Sequence, residues 1–70
     1  MVTLYTLPNC GICAMVKTKL RQKQIDFNEK EFSEIADIIH SDHAPALYVS
    51  QDKILNSPTE IVNWINNYGA

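Results

Sequence analysis

The stretch Val2-Thr3-Leu4-Tyr5-Thr6-Leu7-Pro8-Asn9-Cys10-Gly11-Ile12-Cys13 decides how this chain is read. From Val2 to Leu7 the residues are β-branched, aromatic or aliphatic, with Val2 and Leu4 on one face and Tyr5 and Leu7 on the other. A strand that is apolar on both faces is covered on both sides, so the spacing predicts a central strand. Pro8 ends it, because proline has no N–H for a ladder, and Asn9 continues the turn. A helix then follows from Gly11 to about Gln24, since Cys13, Val16 and Leu20 recur on one stripe. Cys10 and Cys13 therefore stand where a strand hands over to a helix.

That position gives the pair a chemistry. The thiolate is the nucleophile of disulfide exchange. The free N–H groups and the positive dipole end of a helix N-terminus favour it. Cys10, at the first turn, is expected to have a lowered pKa and to attack a substrate disulfide. Cys13, one turn inward, is expected to resolve the mixed disulfide by attacking Cys10. C-x-x-C beside a β-α-β pattern reads as a redox motif. Two cysteines that merely pack as small hydrophobes would not need this junction. His40 and His43 have H-x-x-H spacing, so a zinc site with the cysteines can be written. The gap between the two pairs holds a strand and a helix, however. The histidines read better as a helix C-cap and a surface residue.

Working outward, Ile25 to Phe32 contains a second strand, more polar and suited to an edge. Ser33 is a plausible N-cap for a helix over about 34–41, with Ile35, Ile38 and Ile39 as its stripe. Ala46 to Ser50 and Lys53 to Leu55 read as a hairpin around Gln51-Asp52. Ser57-Pro58-Thr59-Glu60 has the pattern of a capping box with proline at N1. Ile61, Trp64, Ile65 and Tyr68 then form an apolar face that Gly69 can close. Lys17, Lys19, Arg21 and Lys23 flank the stripe of the first helix and read as cationic stems along a buried face. The order β-α-β-α-β-β-α predicts an α/β fold with a four-stranded mixed sheet. The first crossover makes a parallel pair and the hairpin an antiparallel one.

Composition sets the frame. Seventy residues allow a single domain, 1–70, and a hydrophobic content of 46% with 20% charged residues fits a folded chain rather than a disordered one. A net charge of −2 argues against a nucleic-acid binder. No apolar run is long enough to span a membrane, MVTLYTL is too short for a signal peptide, and two cysteines are too few for a disulfide scaffold. A cytoplasmic monomer is expected.

The chain resembles the glutaredoxin family of thioredoxin-fold proteins. The resemblance rests on Val2–Thr6, Cys10-Gly11-Ile12-Cys13, the strand near Phe27, Ala44-Pro45 and the final hairpin and helix. VTLYTLPNCGIC is most similar to the small redoxins that feed electrons to ribonucleotide reductase. The resemblance implies a thioredoxin-like three-layer fold and a dithiol–disulfide oxidoreductase that acts on protein disulfides. It also implies a cis Pro45, although by its sequence position alone Pro45 fits a trans proline at a strand edge as well. The substrate surface is expected at Pro8, Asn9, Gly11 and Ile12 around Cys10, at Ala44 and Pro45, and at Ser57 and Thr59 before the last helix. No tightly bound cofactor and no metal is expected.

The chain departs from the family where glutathione is held. Leu7 stands where glutaredoxins usually carry Lys or Arg, Gly11-Ile12 replaces Pro-Tyr, His43-Ala44 replaces Thr-Val, and Asn56–Thr59 replaces the Gly-Gly and Asp that hold the γ-glutamyl end. The reductant stays open between glutathione and a flavin-dependent thioredoxin reductase. The family also includes glutaredoxins that bridge a [2Fe–2S] cluster between two chains, and a docking module with idle cysteines is a third reading.

Overall fold

The computed structural model describes residues 1–69, one short of the domain read from the sequence. Its elements are β1 (Val2–Thr6), α1 (Gly11–Gln22), β2 (Phe27–Glu31), a 3-10 turn (Phe32–Glu34), α2 (Ala36–Ile39), β3 (Ala46–Ser50), β4 (Lys53–Leu55) and α3 (Pro58–Asn66). The strands form one sheet in the order β2-β1-β3-β4. β1 runs parallel to β2 and antiparallel to β3, and β3 and β4 form the antiparallel hairpin. The expected mixed sheet is there, with β1 inside it and the polar β2 at its edge.

Both faces of the sheet are covered. On one face Val2, Leu4 and Leu47 pack with Val16 and Leu20 of α1, Ile25, and Ile61 and Ile65 of α3. On the other, Phe32 and Ile35 pack with Ala46, flanked by Tyr5, Ile39, Tyr48 and Ile54. β1 feeds both layers because alternate side chains of a strand point to opposite faces. This is the three-layer, thioredoxin-like arrangement. Among the described residues no helix is long and apolar enough to cross a membrane.

The stripe of α1 lies as its spacing predicts: Cys13, Val16 and Leu20 are its buried residues. The helix stops two residues earlier than expected. Gln24 takes a left-handed conformation, φ 57°. The Ile25 N–H then reaches back to the Leu20 carbonyl (3.0 Å) and the Gln24 N–H to that of Arg21 (3.0 Å). This is a Schellman ending, and its usual apolar contact is made by buried Ile25 against Leu20. Glycine is the residue that takes this conformation without a Cβ penalty. Gln24→Gly should therefore raise stability by about 1 kcal/mol, seen as an upward Tm shift of roughly 4–8 °C in a chain of this size. An unchanged or lower Tm would contradict it.

The second helix corrects the reading. Ser33 is not its N-cap: it lies in the 3-10 turn, with its hydroxyl donating to the Glu31 carboxylate (3.4 Å). Buried Phe32 anchors that turn, and the Ile35 N–H closes it on the Phe32 carbonyl (3.0 Å). Only Ala36–Ile39 is left for α2, and Ile38 points outward at 71% exposure, off the expected stripe. His40 is the C-cap of α2, left-handed at φ 53°.

The last helix starts at Pro58 as expected, but Ser57 makes no side-chain cap bond, so the capping box is not formed. Pro58 and the Ser57 carbonyl, which accepts from the Ile61 N–H (3.0 Å), set the start instead. Ile61 and Ile65 are buried. Trp64 packs at the core's margin, 5.2 Å from the half-exposed Tyr68 ring. Gly69 has the expected positive φ, 77°.

Candidate active site

β1, β2 and β4 end, and β3 begins, at one edge of the sheet. Pro8 and Asn9 turn the chain there, Asn9 in a left-handed conformation at φ 59°. Cys10 follows as the N-cap of α1, in extended conformation. Its Sγ accepts a hydrogen bond from the Cys13 N–H at 3.1 Å. An N-cap side chain normally offers oxygen to these orphan donors; here sulfur occupies the place. Cys13 lies one turn on, and the two are joined as a disulfide with Cα atoms 5.2 Å apart. Their surroundings differ: Cys10 is half-buried, while Cys13 is 2% exposed.

A groove of about 790 Å³ opens beside the pair, lined by both cysteines, by Leu7, Pro8, Asn9 and Gly11, and by Lys17, Glu29, Lys30 and Glu31. Pro8, Asn9 and Gly11 thus share this groove with the cysteines. Ile12 stands outside the groove, exposed on the first turn of α1, with Leu7 and Met15 as further exposed apolar neighbours in sequence. A Cβ at Gly11 would meet nothing within 4 Å, so glycine leaves this turn open rather than relieving a clash.

The Ala44–Pro45 peptide is cis. β3 pairs Tyr5 with Ala46. β3 begins there, so the Ala44–Pro45 peptide just before it lies at the end of the sheet that holds Cys10. The Pro45 side chain is fully buried, so Ala44, half-buried, is what this loop shows to solvent. Ser57 and Thr59 lie at the same edge, after β4. Neither they nor Ala44 and Pro45 line the groove beside Lys17 and Glu29, which opens on the β2 side.

Thr6, Lys17 and Glu29 are among the groove residues not picked out from sequence. The Thr6 hydroxyl donates to the Glu29 carboxylate (2.9 Å), and the Lys17 ammonium pairs with the same oxygen (3.1 Å). The sequence holds no direct signal for this trio, since it depends on the β1–β2 register. Donation by Thr6, then by Lys17, with further attraction from Lys17 and Arg21, holds the Glu29 carboxyl below the usual carboxylate range. A lowered folded-state pKa means that the contribution is complete above the ordinary carboxylate value and is lost as pH falls through the lowered one. The pair is partly exposed, so it is worth only about 0.5 kcal/mol. Glu29→Gln should lower Tm by roughly 2–4 °C at pH 7, and the gap should close below the lowered pKa. A gap that widens in acid would refute the assignment.

Among the described residues no three His, Cys, Asp or Glu side chains gather into a group that could hold a metal ion. His43, exposed, has its ring Nδ1 3.3 Å from the Ser41 hydroxyl.

The family model described as glutaredoxin matches residues 2–54, from β1 through the cysteine pair and the cis-proline loop into β4. No curated protein and no solved structure matches the chain.

Proposed function

The chain belongs to the glutaredoxin family, and we propose that it is a dithiol–disulfide oxidoreductase that reduces protein disulfides in a reducing compartment such as the cytoplasm. One observation carries this reading: the accessible Cys10 sulfur caps α1 and accepts the Cys13 N–H, while Cys13 is sequestered beside it. Helix-terminal N–H donors favour negative charge on that sulfur.

In the reduced protein the Cys10 thiolate attacks one sulfur of a substrate disulfide. A Cys10–substrate bond forms as the substrate S–S bond breaks, and the departing thiolate takes a proton from solvent. The Cys13 thiol, losing its proton, then attacks the Cys10 sulfur. The second substrate thiol leaves, and the Cys10–Cys13 disulfide holds the oxidising equivalents. Two electrons have passed to the substrate.

Ribonucleotide reductase is the first substrate we put forward, on the resemblance of the first twelve or so residues. For the reductant we infer a flavin-dependent thioredoxin reductase over glutathione. Glutathione brings two carboxylates. The groove answers with Lys17 and Lys30 but also with Glu29 and Glu31, and Lys17 is already paired with Glu29. Leu7, Ile12 and Met15 offer an apolar rim that suits a protein surface better. Charged hydrogen bonds are worth roughly 1.5–3 kcal/mol each, so lacking one or two weakens glutathione at least about tenfold. Coupled NADPH assays at matched reductase activity test this. Turnover of a disulfide substrate with thioredoxin reductase and little with glutathione and its reductase is the expected result. The opposite pattern would reverse the choice of reductant, and turnover with neither reductase nor with dithiothreitol would overturn the oxidoreductase reading.

A further inference from the structure

We infer that Asn56 is a positioning residue for substrate docking, holding the backbone around Ala44 in place at the edge that carries Cys10. The inference rests on the oxidoreductase reading above for the identity of what docks. Asn56 lies between β4 and α3, half-buried. Its side-chain nitrogen donates to the His43 carbonyl (3.0 Å) and to the Pro45 carbonyl (3.1 Å). Both partners are acceptors only, so the amide nitrogen, with its two hydrogens, must be the atom facing them. One side chain thereby fixes the carbonyls on either side of Ala44.

Ala44 itself is left available. Among the described residues its N–H and C=O enter no backbone hydrogen bond of a turn, loop or cap. A backbone donor and acceptor held by their neighbours, half-exposed at the end of the sheet that carries Cys10, suit an extended substrate segment whose disulfide approaches Cys10. The anchor behind Asn56 is firm, because α3 follows directly and buries Ile61 and Ile65 in the core. The hydroxyl of Ser41 adds a weaker tie from the other side, donating to the His43 carbonyl at 3.3 Å. Fixing a docking segment beforehand raises affinity by lowering the ordering cost at binding. The Cys10 sulfur takes its hydrogen bond from the Cys13 N–H in α1 and not from the Asn56 loop, so loss of the Asn56 bonds should leave the sulfur's reactivity in place.

Asn56→Ala and Asn56→Asp test this, the second keeping the side chain's size while removing both donors. The assays are reduction of a disulfide-containing peptide, iodoacetamide labelling of Cys10, thermal melting, and the backbone order parameter of Ala44 by NMR. Both variants should raise KM about tenfold, the loss of two ordinary hydrogen bonds, with kcat and the labelling rate within about twofold of wild type. The Ala44 order parameter should fall from near 0.85 to below about 0.6. An unchanged KM in both variants, with a wild type that turns over, would overturn the inference and leave the oxidoreductase reading intact. So would an unchanged Ala44 order parameter, or a joint collapse of KM, kcat, labelling and Tm that marks a merely structural role. A wild type that reduces nothing, with Ala44 still loosened in both variants, would sink the oxidoreductase reading while the loop-positioning role stood.

Discussion

Cys10→Ser is expected to abolish disulfide reduction, while Cys13→Ser leaves a protein that attacks once and stops. The asymmetry follows from geometry. Cys10 is half-buried and reachable at the head of α1, whereas Cys13 is 2% exposed on the stripe that faces the core. An incoming disulfide can meet only the first. With serine at position 13 the mixed disulfide on Cys10 has no intramolecular attacker and should accumulate as a covalent adduct on non-reducing gels. Serine is itself a good N-cap, so Cys10→Ser should keep α1, with a melting curve close to that of the reduced wild type. Loss of activity can then be assigned to the missing sulfur rather than to unfolding. Iodoacetamide at neutral pH should label Cys10 of the reduced protein at least about tenfold faster than Cys13, given that the thiolate is the reacting form and Cys13 is closed to solvent. Faster labelling of Cys13, or catalytic turnover by Cys10→Ser, would exchange or cancel the two roles.

The junction that holds Cys10 and Cys13 could be read in the sequence because it depends on local order: an apolar strand, a proline stop, then a helical stripe beginning at Cys13. The central place of β1 was legible for the same reason, since its side chains are apolar on both faces. What escaped depends on tertiary contact. Gln24 ends α1 in a conformation that glycine usually supplies, and only the burial of Ile25 against Leu20 explains why the chain turns there. Phe32 draws its segment into a 3-10 turn and shortens the helix that the sequence pattern starts at Ser33. The Thr6–Glu29–Lys17 cluster needs a strand register that no local pattern encodes. Asn56 was visible only as a departure from the family's glycines; its two carbonyl partners come from a loop eleven and thirteen residues away.

Leu20→Ala is the core substitution expected to cost most. Leu20 is fully buried and belongs to the cluster shared by α1, the sheet and α3. It is also the residue on which the Schellman ending of α1 closes, through both its carbonyl and its contact with Ile25. Truncation removes buried methyl groups and leaves a cavity, a cost of about 2–5 kcal/mol. A chain of this length has only roughly 3.5–10 kcal/mol of stability in total, so the variant should be partly unfolded at 37 °C and its urea midpoint should drop sharply with little change in slope. Ile38→Ala is the matched control, an isoleucine of a neighbouring helix that stands 71% exposed; it should stay within about 0.5 kcal/mol of wild type. Near-equal effects of the two substitutions would mean that the α1 face is not the core that holds Cys10 and Cys13 in place. If instead Leu20→Ala is severe, the same loss should carry into function. The first turn of α1, which Cys10 caps, is held against the sheet by the stripe that runs from Cys13 through Val16 to Leu20. Activity should then fall in proportion to the unfolded fraction, with the KM of the folded remainder unchanged.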